Sequence, residues 1–469
     1  MHKTDKKILF CAAEAAPLAK VGGLADVVGS LPAALKSQGL TARIIMPAHG
    51  SVSLRVWRAQ RLAAFSVNLG NKKEKVVLFQ AKVGGVHYYL LQNKHYFSGA
   101  VYEGDTLDKY LFFSQAVAAS LPFLSFTPDI IHAHDFHAAG VLLTYLQKPV
   151  NLRPKLVLTI HNLQHQGWTA ASKFKSFGFN PEIVPAAAKN AAGDWINILA
   201  AGIAAADKIT TVSPNYAKEI LTKKYGQELE KLLIARKNDL VGILNGIDVS
   251  SYNPITDKAL ASNYGRANSA EGKEMNKKAL RSYFALPDLP VPLFALVARL
   301  SDQKGIDLFS LDKLRSLSKK YPFQLIILGT GEEKFENLAA SLAANLPEMA
   351  RAEIAFDNVL ARNLYAASDY FLVPSRFEPC GLTQMIAMRY GSVPIVRATG
   401  GLKDTVIDGR NGFVFKDYAV SSLFSSLQRA LRLYYQEPKE YQALRRAGMS
   451  ADWSWQASAP KYKQFYASL

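Results

Sequence analysis

Cysteine is nearly absent. Only Cys11 and Cys380 occur in 469 residues, which excludes a disulfide framework and a zinc site built from thiolates alone, and fits a reducing, cytoplasmic setting. No apolar run approaches the roughly 18 residues that a membrane span needs, so no membrane partner is expected. The basic opening, residues 1–7, leads into an apolar run that is short for a secretory leader and is interrupted by Glu14, so it reads as a strand. Acidic residues are scarce beside basic ones, 38 against 56, a net charge of +18. That sign admits nucleic acid, acidic lipid or a small anionic substrate. The basic residues are spread along the chain, and no zinc-finger spacing, RNP-type strand or basic heptad accompanies them. Nucleic acid is therefore not expected as a partner.

What is present is the composition of a folded chain, with 49% hydrophobic residues. Its length implies two or three domains at about 150 residues each. Short runs rich in Val, Ile and Leu recur at 8–12, 42–46, 130–133, 156–160, 209–212 and 241–244, and again at 293–298, 324–328, 370–373 and 393–396. Helical stretches separate them. Continuous apolar strands alternating with helices indicate parallel sheets covered on both faces, so two series predict two doubly wound α/β domains. Runs at 75–81 and 86–91, around Gly84-Gly85, read as a hairpin inserted in the first. Helices are expected at 24–37, ending at Gly39, at 108–121 before Pro122, after the Ser213-Pro214 start signal, and at 273–284 before Pro287. Apolar sequence gives way to Asn, Gly, Asp, Ser and Pro over 245–254, which places a domain boundary there, and 257–272 reads as surface loop or short helices.

Five motifs carry polar chemistry at predicted strand ends, where open α/β sheets bind ligands. In the first, Lys20 precedes Gly22-Gly23 at a helix start. Its amides can approach a phosphate or sugar, and a surface lysine beside a tight turn is the plainer alternative. An echo, Gly400-Gly401-Leu402, occurs in the second half. The second, His132-Ala133-His134-Asp135-Phe136-His137, offers metal ligands or polar substrate contacts, with Asp135 and His137 entering a turn. The third, His161-Asn162, suits sugar hydroxyls or a reacting centre, or a histidine capping the next helix. In the fourth, Arg299 and Lys304 can clamp a diphosphate or simply be solvated. The fifth runs from Pro374 to Gln384. There Glu378 precedes amides at Gly381, Leu382 and Thr383, a pairing suited to sugar hydroxyls and phosphate oxygens. Cys380 has no evident paired histidine to make it a nucleophile.

Together KVGGLADV, HAHDFHA, TIHNLQHQG, VSPNYAKEI, LNGID, ARLSDQKG, VPSRFEPCGLTQ, RATGGLKDTV, NGFVF and DWSWQ, in this order, resemble the bacterial glycogen synthase and plant starch synthase family from residue 8 onward. The resemblance implies the GT-B architecture, two Rossmann-like domains facing a deep cleft. Residues 1–245 would form the acceptor side, with 452–469 packing back on it, and 246–451 the donor side. It implies retaining transfer of glucose from ADP-glucose to the non-reducing end of an α-1,4-glucan such as glycogen, with no cofactor and no metal. Arg299 and Lys304 would neutralise the departing diphosphate, Glu378 and the 380–383 turn would hold glucose hydroxyls and phosphate, and the His161 carbonyl would border the anomeric carbon. Lys20, Gly22 and Gly23 would approach the donor, Asp135 and Asn162 the sugar or acceptor, Asn245 the cleft, and Phe356 the adenine ring. Phosphorylases share the architecture, but a comparable pyridoxal-phosphate lysine motif is missing. The family's longer loop between Thr405 and Gly412 is short here, and Asp357-Asn358-Val359 departs from the relatives, which leaves nucleoside choice between ADP- and UDP-glucose open. A non-catalytic glucan-binding paralogue is the alternative from another class. Acceptor length and oligomeric state are not encoded legibly.

Overall fold

The computed structural model describes residues 6–70, 72–146 and 149–469. The basic opening thus lies, up to residue 5, outside the described residues. The chain divides into two compact units. One comprises the described residues up to Gly246 together with Trp455–Leu469, and the other is Ile247–Ser454.

In the first unit the strands are β1 (Lys7–Cys11), β2 (Thr41–Pro47), β3 (Gln60–Leu69), β4 (Lys72–Val83), β5 (Val86–Gln92), β6 (Ile130–His134), β7 (Lys155–Ile160), β8 (Trp168–Ala170), β9 (Trp195–Asn197), β10 (Lys208–Thr211) and β11 (Leu240–Gly242). Nine form one sheet in the order β11-β10-β7-β6-β1-β2-β5-β4-β3. All neighbours are parallel except β4, which runs antiparallel to both β3 and β5. The expected hairpin is therefore no separate insert. Its second strand pairs parallel with β2, Ile44 beside Tyr88, and carries the main sheet outward. The interior strands are buried on both faces, as in Ile130–His134. That is the reason they read as unbroken apolar runs. The closing helix Trp455–Ala467 belongs to this unit and buries Tyr466, whose hydroxyl is 2.7 Å from His132 Nδ1.

In the second unit β12 (Leu293–Val297), β13 (Gln324–Leu328), β14 (Ala350–Glu353), β15 (Tyr370–Val373), β16 (Val393–Arg397) and β17 (Phe413–Phe415) form a wholly parallel sheet in the order β14-β13-β12-β15-β16-β17. Its core packs Phe294, Leu296, Ile327, Tyr370 and Ile395 against Leu423 and Leu427 of the helix Val420–Gln436.

Each sheet reverses its winding beside its first strand, between β1 and β6 and between β12 and β15. Open α/β sheets leave a crevice at the carboxyl ends of such a pair. Most local signals act as expected. Ser213 caps the helix Pro214–Glu219 by accepting from the Tyr216 amide, with Pro214 in its first turn. Two readings need correction. Asp135 and His137 enter a helix, Asp135–Leu143, and not a turn. The polar stretch 257–272 already contains the start of the helix Ser269–Tyr283.

Candidate active site

In the first unit the candidate residues gather at the ends of β1, β6 and β7. Asp135 begins its helix with φ +55, a left-handed conformation that a side-chain-bearing residue adopts at a cost. The carboxylate explains what is gained. Oδ1 accepts the His161 amide at 2.6 Å and the Asn162 amide at 3.4 Å, tying the end of β6 to the end of β7. Burial pushes the Asp135 carboxyl up to about 7, against the pull of those two amides and with some help from the Glu14 charge. Asn162 is half-buried, and its side-chain oxygen accepts the Gln164 amide, which shapes the loop after β7.

The histidines are buried and neutral at pH 7. Burial depresses His132, His137 and His161 to about 3 and His134 well below its usual range. His132 serves the framework, because its nitrogens meet the Tyr466 hydroxyl and Thr159 Oγ1. His134 Nδ1 is 2.9 Å from His161 Nε2, so one of these neutral rings donates to the other. His161 therefore caps no helix. His137 lies against Phe136, with ring centroids 3.8 Å apart. His134 Nε2, His137 Nδ1 and Asn245 Oδ1 are buried and, among the described residues, meet no hydrogen-bond partner, a condition native proteins rarely leave without purpose. Among the described residues no group of three His, Cys, Asp or Glu side chains is arranged to hold a metal ion.

The Gly22-Gly23 turn is occupied from within. Glu14 is buried, and its Oε2 accepts the Val21 amide at 2.5 Å and the Gly22 amide at 3.3 Å, while Oε1 accepts the Tyr102 hydroxyl at 3.0 Å. Burial raises the Glu14 carboxyl above its ordinary range. Lys20 is held by Asp26 at 2.7 Å. The helix Gly23–Lys36 starts directly after this turn, with Gly22 as its N-cap and no side-chain cap. Glu14 and Tyr102 escaped the sequence reading. The available signal was a lone carboxylate inside the run Ala12-Ala13-Glu14-Ala15-Ala16, where nothing but a specific partner tolerates it.

In the second unit two loops meet beyond β12 and β15. Lys304 Nζ is 2.6 Å from Glu378 Oε2, which also accepts from Ser375 Oγ at 2.9 Å. The loops are stitched by the Arg376 amide donating to the Gln303 carbonyl and by Gln303 Nε2 donating to the Phe377 carbonyl. Gly305 is obligatory, since it sits at φ +75 and a Cβ there would lie 2.2 Å from the Pro374 oxygen. Behind them Arg397 donates from Nε to the Ser375 carbonyl at 2.7 Å and from a terminal nitrogen to the Arg376 carbonyl. Arg299 is exposed, and among the described residues it makes no hydrogen bond or ion pair. Gly400-Gly401 packs onto the Glu378 loop, with the Gly401 amide donating to the Glu378 carbonyl at 3.1 Å. Cys380 is buried. Gly381, Leu382 and Thr383 are half-buried at the start of the helix Thr383–Arg389. Phe356 projects from the loop after β14, 66% exposed, beside exposed Val359.

With these positions fixed, the relatives can be set beside them. Residues 7–235 match the family described as starch synthase catalytic domain, and residues 286–449 match glycosyl transferases group 1. A glycogen synthase of Moorella thermoacetica is 41% identical, across 98% of this chain and 96% of that protein. The chain belongs to the glycogen and starch synthase family. A glycogen synthase of Clostridium novyi is 39% identical over 98% of this chain and 99% of its own length. Among solved structures, the catalytic domain of starch synthase IV from Arabidopsis thaliana, bound to ADP and acarbose, matches with a TM-score of 0.91 at 33% identity, covering 99% of both chains. Sucrose-phosphate synthase from Thermosynechococcus elongatus, at TM-score 0.63 and 18% identity, shares the fold. The two Rossmann-like units are thus those of a GT-B glycosyltransferase, as the strand pattern and motifs led us to expect.

Proposed function

We propose that this family member is a glycogen (starch) synthase that transfers glucose from ADP-glucose to the non-reducing end of an α-1,4-glucan with retention of configuration. The observation that carries the reading is the meeting of Lys304 and Glu378, 74 residues apart in sequence, at a strand-end crevice, with Arg299 five residues before Lys304 in the same loop region. A relative bound to ADP and acarbose supports an adenine nucleotide and a glucan as ligands.

Breaking the glycosidic bond to a diphosphate separates charge, leaving a cationic sugar and an anionic leaving group. Arg299 offers a free planar fork and Lys304 a point charge to that anion, and preorganised cations act most strongly where charge develops. Glu378 orients Lys304 and offers its second oxygen to sugar hydroxyls, with the Cys380–Thr383 turn beside it. In the first unit the Asn162 amide faces Asp135. The peptide between residues 161 and 162 is planar and trans, so the His161 carbonyl points away from Asp135, and we assign it to the anomeric carbon of a bound sugar. Neutral histidines suit an uncharged acceptor. Asp135, Asn162 and Asn245 take the sugar side, Lys20 and Gly23 the donor, and Phe356 the base.

The test is the initial rate of glucose transfer from ADP-glucose to glycogen by the purified chain, run beside UDP-glucose and with excess chelator. Transfer with a higher specificity constant for ADP-glucose, unchanged by chelator, is the expected result. No transfer from either donor would leave a glucan-binding paralogue. A higher constant for UDP-glucose would overturn the nucleoside assignment, and activity restored by magnesium would overturn the metal-free reading.

A further inference from the structure

Glu14 follows β1 inside a run of small apolar residues, and Ala12, Ala13 and Ala15 around it are fully buried. Glu14 itself is 1% exposed, and among the described residues it makes no ion pair. A carboxylate is hardly ever enclosed in this way unless specific donors meet it. Here three do, the Val21 amide, the Gly22 amide and the Tyr102 hydroxyl. Two of the three come from one turn, and hydrogen bonds to an ionised carboxylate are roughly twice as strong as neutral ones. The carboxylate also lies close under the glycine pair, because a Cβ on Gly22 would meet Glu14 Oε1 first, at 3.7 Å.

The chain on either side of that turn is fixed without Glu14. The Ala16 amide donates to the Ala25 carbonyl at 3.0 Å, and a Cβ on Gly29 would lie 2.2 Å from the Ala16 oxygen. The segment after Glu14 is thus pressed against the helix Gly23–Lys36. The Leu18 and Ala19 amides both donate to the Ala15 carbonyl, each at 3.1 Å. Between Ala19 and the helix only residues 20–22 are left to choose a path. Lys20 is tied to Asp26 through its side chain. Val21 is exposed and Gly22 half-buried, so packing constrains them little, and glycine brings the largest backbone freedom of any residue. Their amides are held by Glu14 instead.

We propose that Glu14 is a positioning residue for the donor: it fixes the backbone of Val21 and Gly22, so that the uncapped start of the helix Gly23–Lys36 is set before the nucleotide sugar arrives. The inference rests on the transferase reading above and on the turn's place on the donor's side of the reaction. No side chain caps that helix, and its first amides together with its dipole favour an anion such as a diphosphate. Such a start serves best where the residues leading into it are already held, because a turn ordered by the ligand itself loses binding energy to the ordering. Glu14 touches neither donor nor acceptor and acts through the turn. Tyr102 completes the mount. Its ring lies against His137, with centroids 5.3 Å apart, so the carboxylate is braced from the helix Asp135–Leu143 as well as from β1.

The experiment compares the full-length chain with Glu14→Leu, which keeps the volume and removes the acceptors, and with Glu14→Gln, whose amide oxygen can take the turn while its nitrogen donates to Tyr102. Kinetics for ADP-glucose and for glycogen, ADP affinity by calorimetry and the thermal midpoint are read for each. Glu14→Leu is expected to raise the ADP-glucose KM and the ADP Kd by roughly tenfold or more, with the glycogen KM unchanged. Glu14→Gln should bring both donor constants back to within about threefold of the parent. A merely structural carboxylate would lower the midpoint and the active fraction and leave both constants where they are. Unchanged donor KM and ADP affinity in a folded leucine variant overturn the positioning role, and so does a glycogen KM that rises as far as the donor KM. If the leucine variant does not fold, Tyr102→Phe removes the third donor and is read in the same way, with a selective rise of about threefold in the donor constants expected and unchanged constants overturning the role. If the parent transfers no glucose, ADP affinity decides: weaker binding in the variant keeps the positioning role and overturns the enzymatic reading, whereas equal affinity overturns the positioning role.

Discussion

The strand ends of the two units carry contrasting electrostatics. All nine histidines of the chain precede residue 166, and the four at the ends of β6 and β7 or beside them are buried and neutral. Their carboxylate, Asp135, titrates near neutrality. The second unit has no histidine and forms an ion pair, Lys304 with Glu378, while Arg299, five residues before Lys304, makes no ion pair among the described residues. A crevice of neutral donors and acceptors suits sugar hydroxyls, and one of fixed cations suits a diphosphate. The contrast teaches that this sheet architecture leaves the choice of ligand to the loops at the strand ends.

The sharpest way to break that contrast is to remove its charged half. Glu378→Ala is expected to lower kcat by about 10²-fold or more. Lys304→Gln should raise the barrier by roughly 2–4 kcal/mol with a smaller change in donor KM, because the diphosphate charge grows toward the transition state. Steady-state kinetics check both. Unchanged kcat with only a raised KM would mean uniform donor binding, and the catalytic assignment of Lys304 would fall.

The repeated Gly-Gly-Leu turns sharpen it next. They look alike in sequence but are wired differently. A Cβ on Gly400 would lie 1.8 Å from the Glu378 carbonyl oxygen at φ +44, whereas a Cβ on Gly22 meets nothing nearer than Glu14 Oε1 at 3.7 Å. Gly400→Ala is expected to destabilise by about 2–4 kcal/mol. Gly22→Ala should stay within about 0.5 kcal/mol while weakening donor use. Denaturant titration separates the two, and equal losses would show that the turns do the same structural work.

That difference also marks how far the sequence was legible. Strands 324–328 and 370–373 stand where the apolar runs put them, because a strand buried on both faces has little freedom in composition. The edges were not readable. Gln60–Leu69 is exposed or half-buried over most of its length, with only Val67 and Leu69 buried, and Ala350–Glu353 and Phe413–Phe415 are too short to show a period. Among the candidate site residues, Arg299, Lys304, Glu378, His161 and Asp135 could be picked out by residue type at strand ends. Glu14 did not, because its role depends on a turn folding back over seven residues. Nor did the pairing of Lys304 with Glu378, since sequence distance says nothing about which loops of a parallel sheet become neighbours.

The histidine asymmetry predicts a pH response confined to the first unit. A histidine whose folded pKa is depressed from about 6.5 to about 3 gives stability that is complete above pH 6.5 and is lost as pH falls through that window. Each contributes a slope of up to about 1.4 kcal/mol per pH unit. Asp135 acts oppositely. Its folded pKa, near 7, lies above the unfolded value, so it costs stability as pH rises from about 4 to 7. Calorimetry between pH 7 and 5 should show the first unit's transition moving down while the second holds. Asp135→Asn should gain stability relative to the parent as pH rises across its window. A second unit that weakened equally would cancel the asymmetry.

The smallest expected effect concerns the Lys20–Asp26 pair, set against Lys304–Glu378. Lys304 and Glu378 have side chains 23% and 9% exposed, and Lys20 and Asp26 are each 27% exposed. An ion pair open to water contributes about 0–1 kcal/mol, because solvent screens the attraction and ordering two long side chains offsets much of it. Asp26→Asn should therefore shift stability by no more than about 1 kcal/mol. It should leave kcat intact, because Lys20 keeps its charge and stays near the turn. The donor KM is expected to hold. Glu378 differs because its carboxylate is buried between Lys304 and Ser375 and fixes the cation in place. Kinetics of Asp26→Asn alongside Glu378→Ala decide the matter. A loss of kcat on the scale of the Glu378 variant would make the Lys20 pair equally catalytic, and the division into a neutral first unit and a charged second one would no longer hold.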